Sequence, residues 1–253
     1  MNVQKKALIF TTLILVLLLS ACGSNQTKET VAETRTYSGV SGEVQLPADP
    51  ERVVVIDQDY VGDVLALGVT PVGAGGWVFE TPYYSELLNE VENIGDKTST
   101  SVESVTMLNP DTIITYDDTL TEQLSQIAPT VLIPYGTYDY RERLIEIGKI
   151  LNKEEKAQEV LAEFDKKVAE KKDELFKQVD PGLKVVIIEA SDKEIFLYGK
   201  SFGRGGEIFY NLFGLHATDK VEEAAFEQGW ARISLEAIPE YLGEADHILW
   251  CSR

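Results

Sequence analysis

The sequence predicts an α/β protein of two α/β lobes joined by a single long helix, and three observations carry that prediction. From Lys153 to Val179 the chain runs about 27 residues with neither glycine nor proline. Ala157, Val160, Leu161, Phe164, Val168, Leu175 and Val179 recur there at helical spacings among Lys, Glu, Asp and Gln, the signature of an amphipathic helix of about 40 Å. Short apolar runs alternate with helical patterns on both sides of it, which implies a largely parallel sheet with helices on both faces. The third observation is a local repeat. Ser101-Val-Glu103-Ser-Val105 leads through Pro110-Asp111 into a Thr-Ile-Ile strand, and Ser234-Leu-Glu236-Ala-Ile238 leads through Ala245-Asp246 into a His-Ile-Leu strand.

The chain begins with a targeting segment. Lys5-Lys6 precede an apolar run from Ala7 to Leu19 that is too short to span a bilayer comfortably and that ends at small residues before Cys22. Residues 1–21 are expected as a signal peptide, and 22–42 as a flexible polar tether with little to bury. Residues 43–152 form the expected N-terminal lobe, 153–180 the linking helix, ended by Pro181-Gly182, and 181–253 the C-terminal lobe. The formal charge of −19 becomes −21 once Lys5 and Lys6 are removed, and such acidity excludes the basic footprint that nucleic acid requires. Cys22 and Cys251 are the only cysteines, so no internal disulfide is expected.

In the first lobe the expected order is strand Val53–Ile56, a helix with Tyr60, Val61, Val64, Leu65 and Leu67 inward, and strand Val69–Ala74. A helical piece follows around Tyr83-Tyr84, then a helix opened by a Thr100/Glu103 capping box. Strand Thr112–Thr115, helix Leu120–Ile127, strand Thr130–Ile133 and helix Tyr138–Leu151 complete it. The second lobe is expected to hold strands Lys184–Glu189 and Ile195–Tyr198, a glycine-rich loop Gly199–Gly206, and helices Glu207–Leu212 and Ser234–Leu242. A strand Asp246–Trp250 closes the series.

Candidate ligand contacts are Arg204, set between glycines, with Phe196, Tyr198 and Phe202 beside it, and Trp77, Tyr116 and Tyr135 just after first-lobe strands. A guanidinium offers a planar fork of donors to anionic oxygens. Strand carboxyl ends are where open α/β sheets place ligands. Glu103 and Glu236, one per lobe in equivalent first turns, fit either the helix dipole or a two-point contact with a basic partner. Gly199-Lys-Ser201-Phe-Gly203 matches a nucleophile elbow, yet His247 directly follows Asp246 and faces the other way on a strand. Two histidines and no cysteine cluster leave nothing to hold a metal directly.

Leu19-Ser-Ala-Cys22-Gly resembles the lipobox of bacterial lipoproteins. Glu51-Arg-Val-Val-Val55, Ile94-Gly95, Pro110-Asp-Thr-Ile-Ile114, Ile127-Ala-Pro-Thr130 and Phe202-Gly-Arg-Gly-Gly-Glu207 resemble the solute-binding lipoproteins of iron–siderophore ABC importers. With Tyr210, Gly214-Leu215 and Gly229-Trp230 the likeness is to the ferric-hydroxamate branch, and it covers the chain from about Glu43 to the end. The resemblance implies two lobes on one helical backbone and a ferric siderophore of hydroxamate type in the inter-lobe cleft. Arg204 would contact iron-bound hydroxamate oxygens, with Phe202 and Phe196 at positions where the family often has Trp and Tyr. Glu103 and Glu236 would dock onto permease arginines, and Cys22 would carry the lipid that anchors a monomer at the extracytoplasmic face of the cell membrane. No catalytic residue and no cofactor are implied, the ferric iron arriving only as a chelate. Family members run well past the strand at Ile248, so the C-terminal lobe is expected to be incomplete. The alternatives are a receptor for a catecholate, citrate or cobalamin ligand, and a surface-anchored serine hydrolase using Ser201.

Overall fold

The computed structural model describes residues 33–95, 99–190 and 194–251, so the signal segment, Cys22 and most of the tether lie outside the described residues. Two compact units emerge. One holds the described residues up to Val61 with Thr70–Thr137 and Ile150–Asn152, and the other holds Gly62–Val69, Tyr138–Lys149 and the described residues from Lys153 on.

The first unit is built on strands β3 (Val53–Val55), β4 (Gly73–Ala74), β5 (Glu92–Asn93), β6 (Thr112–Thr115) and β7 (Thr130–Leu132). They pair in the order β5-β4-β3-β6-β7, every pair parallel. Val53–Val55 and Thr112–Thr115 are buried along their whole length, as expected of strands covered on both faces. Val54, Ile56, Ile94, Val105, Ile113, Leu124 and Ala128 form one core cluster. Helices α1 (Gln58–Ala66), α2 (Val102–Met107) and α3 (Asp118–Leu124) connect the strands. The strand expected over Val69–Ala74 shrinks to Gly73–Ala74 because Pro71 has no amide to give a ladder. The helix expected to start from Thr100 is instead capped by Ser101, whose hydroxyl accepts from the Ser104 amide at 3.1 Å, which places Glu103 at the second helical position.

Residues 34–42, expected as tether, are strand and turn. β1 (Thr34–Gly39) and β2 (Gly42–Pro47) form an antiparallel hairpin whose tight end uses Gly42 at φ 117. The alternation that folds it is sparse, but Tyr37 and Leu46 are both buried. Arg35 Nη2 also donates to the carbonyl of Ile150 at 2.6 Å.

The second unit holds α4 (Tyr140–Ile150) and the long helix α5 (Glu154–Leu175). Tyr140 meets Phe164 edge to face, Arg141 forms a fork to both carboxylate oxygens of Asp165 at 2.7 and 2.6 Å, and Gly148 abuts Ala157 closely enough that a Cβ would come within 3.0 Å. Those contacts group α4 with α5, although α4 reads in the sequence as the close of the first lobe. α5 spans 22 residues, about 33 Å, and gives way to turns from Phe176 rather than running on to Pro181.

Strands β8 (Val185–Ala190), β9 (Ile195–Tyr198), β10 (Trp230–Ile233) and β11 (His247–Cys251) pair in the order β10-β9-β8-β11. Only β8–β11 is parallel, so this sheet is mixed, and β10 was not foreseen. Val186, Ile187, Ile188, Leu197, Tyr210 and Val221 form its core, closed by α6 (Asp219–Ala225) and α7 (Ile238–Leu242). The segment expected as helix Glu207–Leu212 takes π-helical hydrogen bonding.

The sequence repeat has a structural meaning. Asp111 Oδ2 accepts from the amides of Glu51 and Arg52 at 2.7 and 2.9 Å, beside the parallel pair β3–β6. Asp246 Oδ2 accepts from the Lys184 amide at 2.7 Å, beside the parallel pair β8–β11. In each unit a serine at the N-cap position, a first-turn glutamate and a strand-locking aspartate follow in the same order, though only Ser101 makes a side-chain capping bond.

Candidate functional site

β8 is an apolar strand that ends in a charge. Val185 to Ile188 are buried core, and Glu189 follows with only 2% of its surface exposed. A buried carboxylate is costly unless it is paired and hydrogen-bonded. Here one oxygen, Oε2, accepts from Arg204 Nε at 2.7 Å and from the Tyr198 hydroxyl at 3.2 Å. β9 brings Tyr198 alongside because it runs antiparallel to β8, with Glu189 opposite Phe196.

Arg204 reaches Glu189 from the loop after β9, where Gly203, Arg204 and Gly205 all take positive φ, at 79°, 55° and 91°. An arginine in the left-handed region costs roughly 1–2 kcal/mol, so the surroundings must hold it there. The Glu189 bond supplies one hold, and the Cys251 thiol, 3.8 Å from the Arg204 carbonyl, supplies a weaker one. The hydrogen bond from Glu189 also pushes the Arg204 pKa upward, so the guanidinium stays charged throughout the accessible pH range. Its side chain is 47% exposed, and among the described residues no acceptor takes its Nη groups.

An aromatic surface adjoins the guanidinium. Arg204 lies over the Tyr198 ring at 5.5 Å, and Tyr198 stacks on Phe202 at 6.3 Å and 19°. Phe202 in turn meets Trp230 at 6.2 Å, and Trp230 meets Phe196 at 6.0 Å. Phe202 and Trp230 are both exposed. The structure thus brings together Phe196, Tyr198, Phe202 and Arg204, all expected from sequence, and adds Glu189 and Trp230. Glu189 is a charge near the end of an apolar strand, a position that by itself does not tell a buried carboxylate from a solvated one. Trp230 escaped because β10 was not foreseen.

In the first unit the aromatic residues gather at the carboxyl ends of the parallel strands. Tyr116 follows β6 and meets Tyr60 at 6.3 Å and Tyr135 at 6.1 Å, both edge to face. Tyr60 is buried with its hydroxyl donating to the Ile133 carbonyl, whereas Tyr135 is well exposed. Asp57, just past β3, is buried and accepts from the Tyr116 amide at 2.6 Å. Burial pushes the Asp57 carboxyl up to about 6, against the lowering effect of the Tyr116 hydrogen bonds. Burial and the nearby Asp57 charge push the Tyr116 phenol up to about 12. Trp77 opens a short 3-10 helix after β4, and its side chain lies outside the described residues.

Glu103 and Glu236 are both exposed, and each stands two residues after its serine, Ser101 and Ser234. Glu236 is the middle residue of a 3-10 turn, Leu235–Ala237, that runs into α7, and hydrogen bonds from its own amide and from Ser234 hold its carboxyl below the usual range. Ser201 is exposed on the loop, while His216 bridges Lys184 and His247 pairs with Val185, both at the amino end of β8. Among the described residues no hydrogen bond joins either histidine to Ser201, and no cluster of side chains could hold a metal ion.

A guanidinium fork beside exposed aromatic rings offers hydrogen-bond donors and apolar area to a ligand. Residues 53–253 match the family described as periplasmic binding protein, and the chain belongs to that family. It is 42% identical over 252 residues to the iron(3+)-hydroxamate-binding protein FhuD of Bacillus subtilis, a match covering 95% of this chain and 79% of that protein. The B. subtilis iron(3+)-hydroxamate-binding protein YxeB is 34% identical, over 95% of this chain and 77% of its own length. Among solved structures, a FhuD-fold component of a Fep/Fec-like ferrichrome ABC transporter from B. subtilis superposes with a TM-score of 0.77 at 40% identity, covering 85% of this chain and 79% of that one. Staphylococcus aureus FhuD2 with bound ferrioxamine B gives 0.70 at 29% identity, over 79% and 77%.

Proposed function

We propose that this protein is the substrate-binding lipoprotein of an ABC importer, that it captures a ferric siderophore of hydroxamate type at Arg204, and that it hands the chelate to a membrane permease. The observation that carries the reading is the Glu189–Arg204 pair beside the Tyr198, Phe202 and Trp230 rings. Three hydroxamates on ferric iron make an uncharged complex whose oxygens still accept hydrogen bonds, and the free Nη groups of Arg204 are suited to them. The rings offer apolar area to the ligand's carbon frame. Kinship with FhuD and YxeB supports the same substrate class.

Phe196, Trp77, Tyr116 and Tyr135 are the further ligand contacts in this reading. Glu103 and Glu236 are the permease contacts, since both are exposed and stand at matching positions after their serines. Cys22 carries the lipid that holds the protein at the extracytoplasmic face. No covalent chemistry enters, for binding and release suffice, and the iron is cargo rather than cofactor.

Tryptophan fluorescence tests the reading directly, because Trp230 lies within the aromatic surface. Ferrichrome and ferrioxamine B should quench it saturably at micromolar concentration or below. Ferric citrate, a ferric tris-catecholate and cobalamin should require far more. Saturable binding confined to one of those three would replace the hydroxamate assignment, and hydrolysis of acyl esters lost in Ser201→Ala would replace the receptor assignment altogether.

A further inference from the structure

We infer that Glu189 sets the charge selectivity of the Arg204 site: it makes the guanidinium half of a net-neutral ion pair, so that uncharged ferric chelates are accepted and polyanionic ones disfavoured. This rests on the ferric-siderophore reading above and adds to it the residue that chooses among siderophore classes.

A leucine or methionine in the place of Glu189 would fold at lower cost, since a buried ion pair seldom outperforms well-packed apolar residues. The carboxylate is nevertheless buried at the end of β8, with Arg204 Nε and the Tyr198 hydroxyl both on Oε2. Nε is engaged by Glu189 and, among the described residues, the Nη groups have no acceptor, so the fork keeps unused donors. The site keeps directional hydrogen-bond donors while losing its net positive charge. Of the other cations on these elements, Arg232 is paired with Glu194 at 3.0 Å, and Lys200, still charged, is held over the Phe226 ring at 4.6 Å. With a whole-chain charge of −19, a trianionic tris-catecholate meets repulsion at long range and no compensating charge at contact, whereas a neutral trishydroxamate meets neither.

The experiment measures dissociation constants for ferrichrome, which is uncharged, and ferric enterobactin, which is trianionic, on the full 253-residue chain and its variants. Glu189→Gln keeps an acceptor for Arg204 and Tyr198 but removes the charge. It should shift the ratio of the two constants about tenfold toward the trianion, the effect of one unit charge at roughly 8 Å in a wet site. Glu189→Asp keeps the charge on a shorter arm. Both ligands should then weaken together, leaving the ratio within about twofold of the parent's. A ratio unmoved by Glu189→Gln, or moved as far by Glu189→Asp, overturns the inference while leaving the receptor reading intact. A parent chain that binds neither chelate sinks the receptor reading and this inference with it. Circular dichroism checks that each variant folds. If Glu189→Gln does not, Arg204→Gln gives the opposite sign, with the unbalanced carboxylate sharpening discrimination against the trianion about tenfold, and an unchanged ratio there overturns the proposal equally.

Discussion

Replacing Arg204 with Gln separates what the guanidinium does for the ligand from what it does for the fold. Two Nη groups are open to ligand oxygens, and each charge-assisted hydrogen bond contributes about 1.5 kcal/mol, so Arg204→Gln should weaken ferrichrome by about 3 kcal/mol, on the order of 100-fold. The same change leaves Glu189 buried with the Tyr198 hydroxyl but without its cation. A full buried-pair loss would be about 3–5 kcal/mol, but Arg204 is half exposed and water can reach the carboxylate once it is gone, so about 1–2 kcal/mol of stability is expected. Adding Glu189→Gln removes the stranded charge. The double variant should therefore recover most of the melting temperature and none of the ferrichrome affinity. Fluorescence titration and thermal melts on the four proteins complete the cycle. An Arg204→Gln chain that binds ferrichrome within twofold of the parent would refute the assigned role of this arginine.

Asp57 predicts a pH dependence. Its carboxyl stands at about 6 in the folded chain against 3.8 ordinarily, so the native state binds this proton more tightly than the unfolded chain does. Its contribution is therefore present below about pH 4 and is lost as pH rises to about 6, some 3 kcal/mol at most. Asp57→Asn should gain stability relative to the parent across that window, and parallel melting curves at both ends would count against it. Gly206→Ala should unfold the arginine loop, because a Cβ there falls 1.8 Å from the Gly199 carbonyl oxygen. A loss of ferrichrome binding with a lower melting temperature checks it. Glu103→Arg and Glu236→Arg should each cut siderophore import at least tenfold in cells while leaving chelate affinity unchanged, as expected for exposed charges that meet an oppositely charged partner.

Much of the fold could be read from the chain because its strands are short and continuous in apolar character. Thr112–Thr115 and Ile195–Tyr198 are found where the pattern places them. The glycine- and proline-free run also folds as a long helix, from Glu154 to Leu175. What stayed hidden depends on partners distant in sequence. The β1–β2 hairpin buries only Tyr37 and Leu46, too few to show a period. β5 is two residues long, and β10 carries Arg232 and an exposed Trp230 on an edge. The second sheet is mixed because β9 pairs antiparallel with β8 and β10 while β11 pairs parallel with β8, directions that apolar runs do not encode. At the site, Arg204 and its aromatic neighbours announced themselves through glycines and spacing. Glu189 did not, since nothing local tells a strand-end glutamate facing solvent from one held inside against an arginine fifteen positions on.

The left-handed backbone at Arg204 carries a consequence of its own. Glycine would occupy φ 55 more cheaply, and the glycines on either side already do so at 79° and 91°. Backbone strain alone would favour a third glycine between them, but that change would also leave the buried Glu189 carboxylate without its cation. The long cationic side chain is kept there despite the strain, with reach and direction that glycine lacks. Relaxing the backbone at this position would therefore remove the group proposed to hold the ligand.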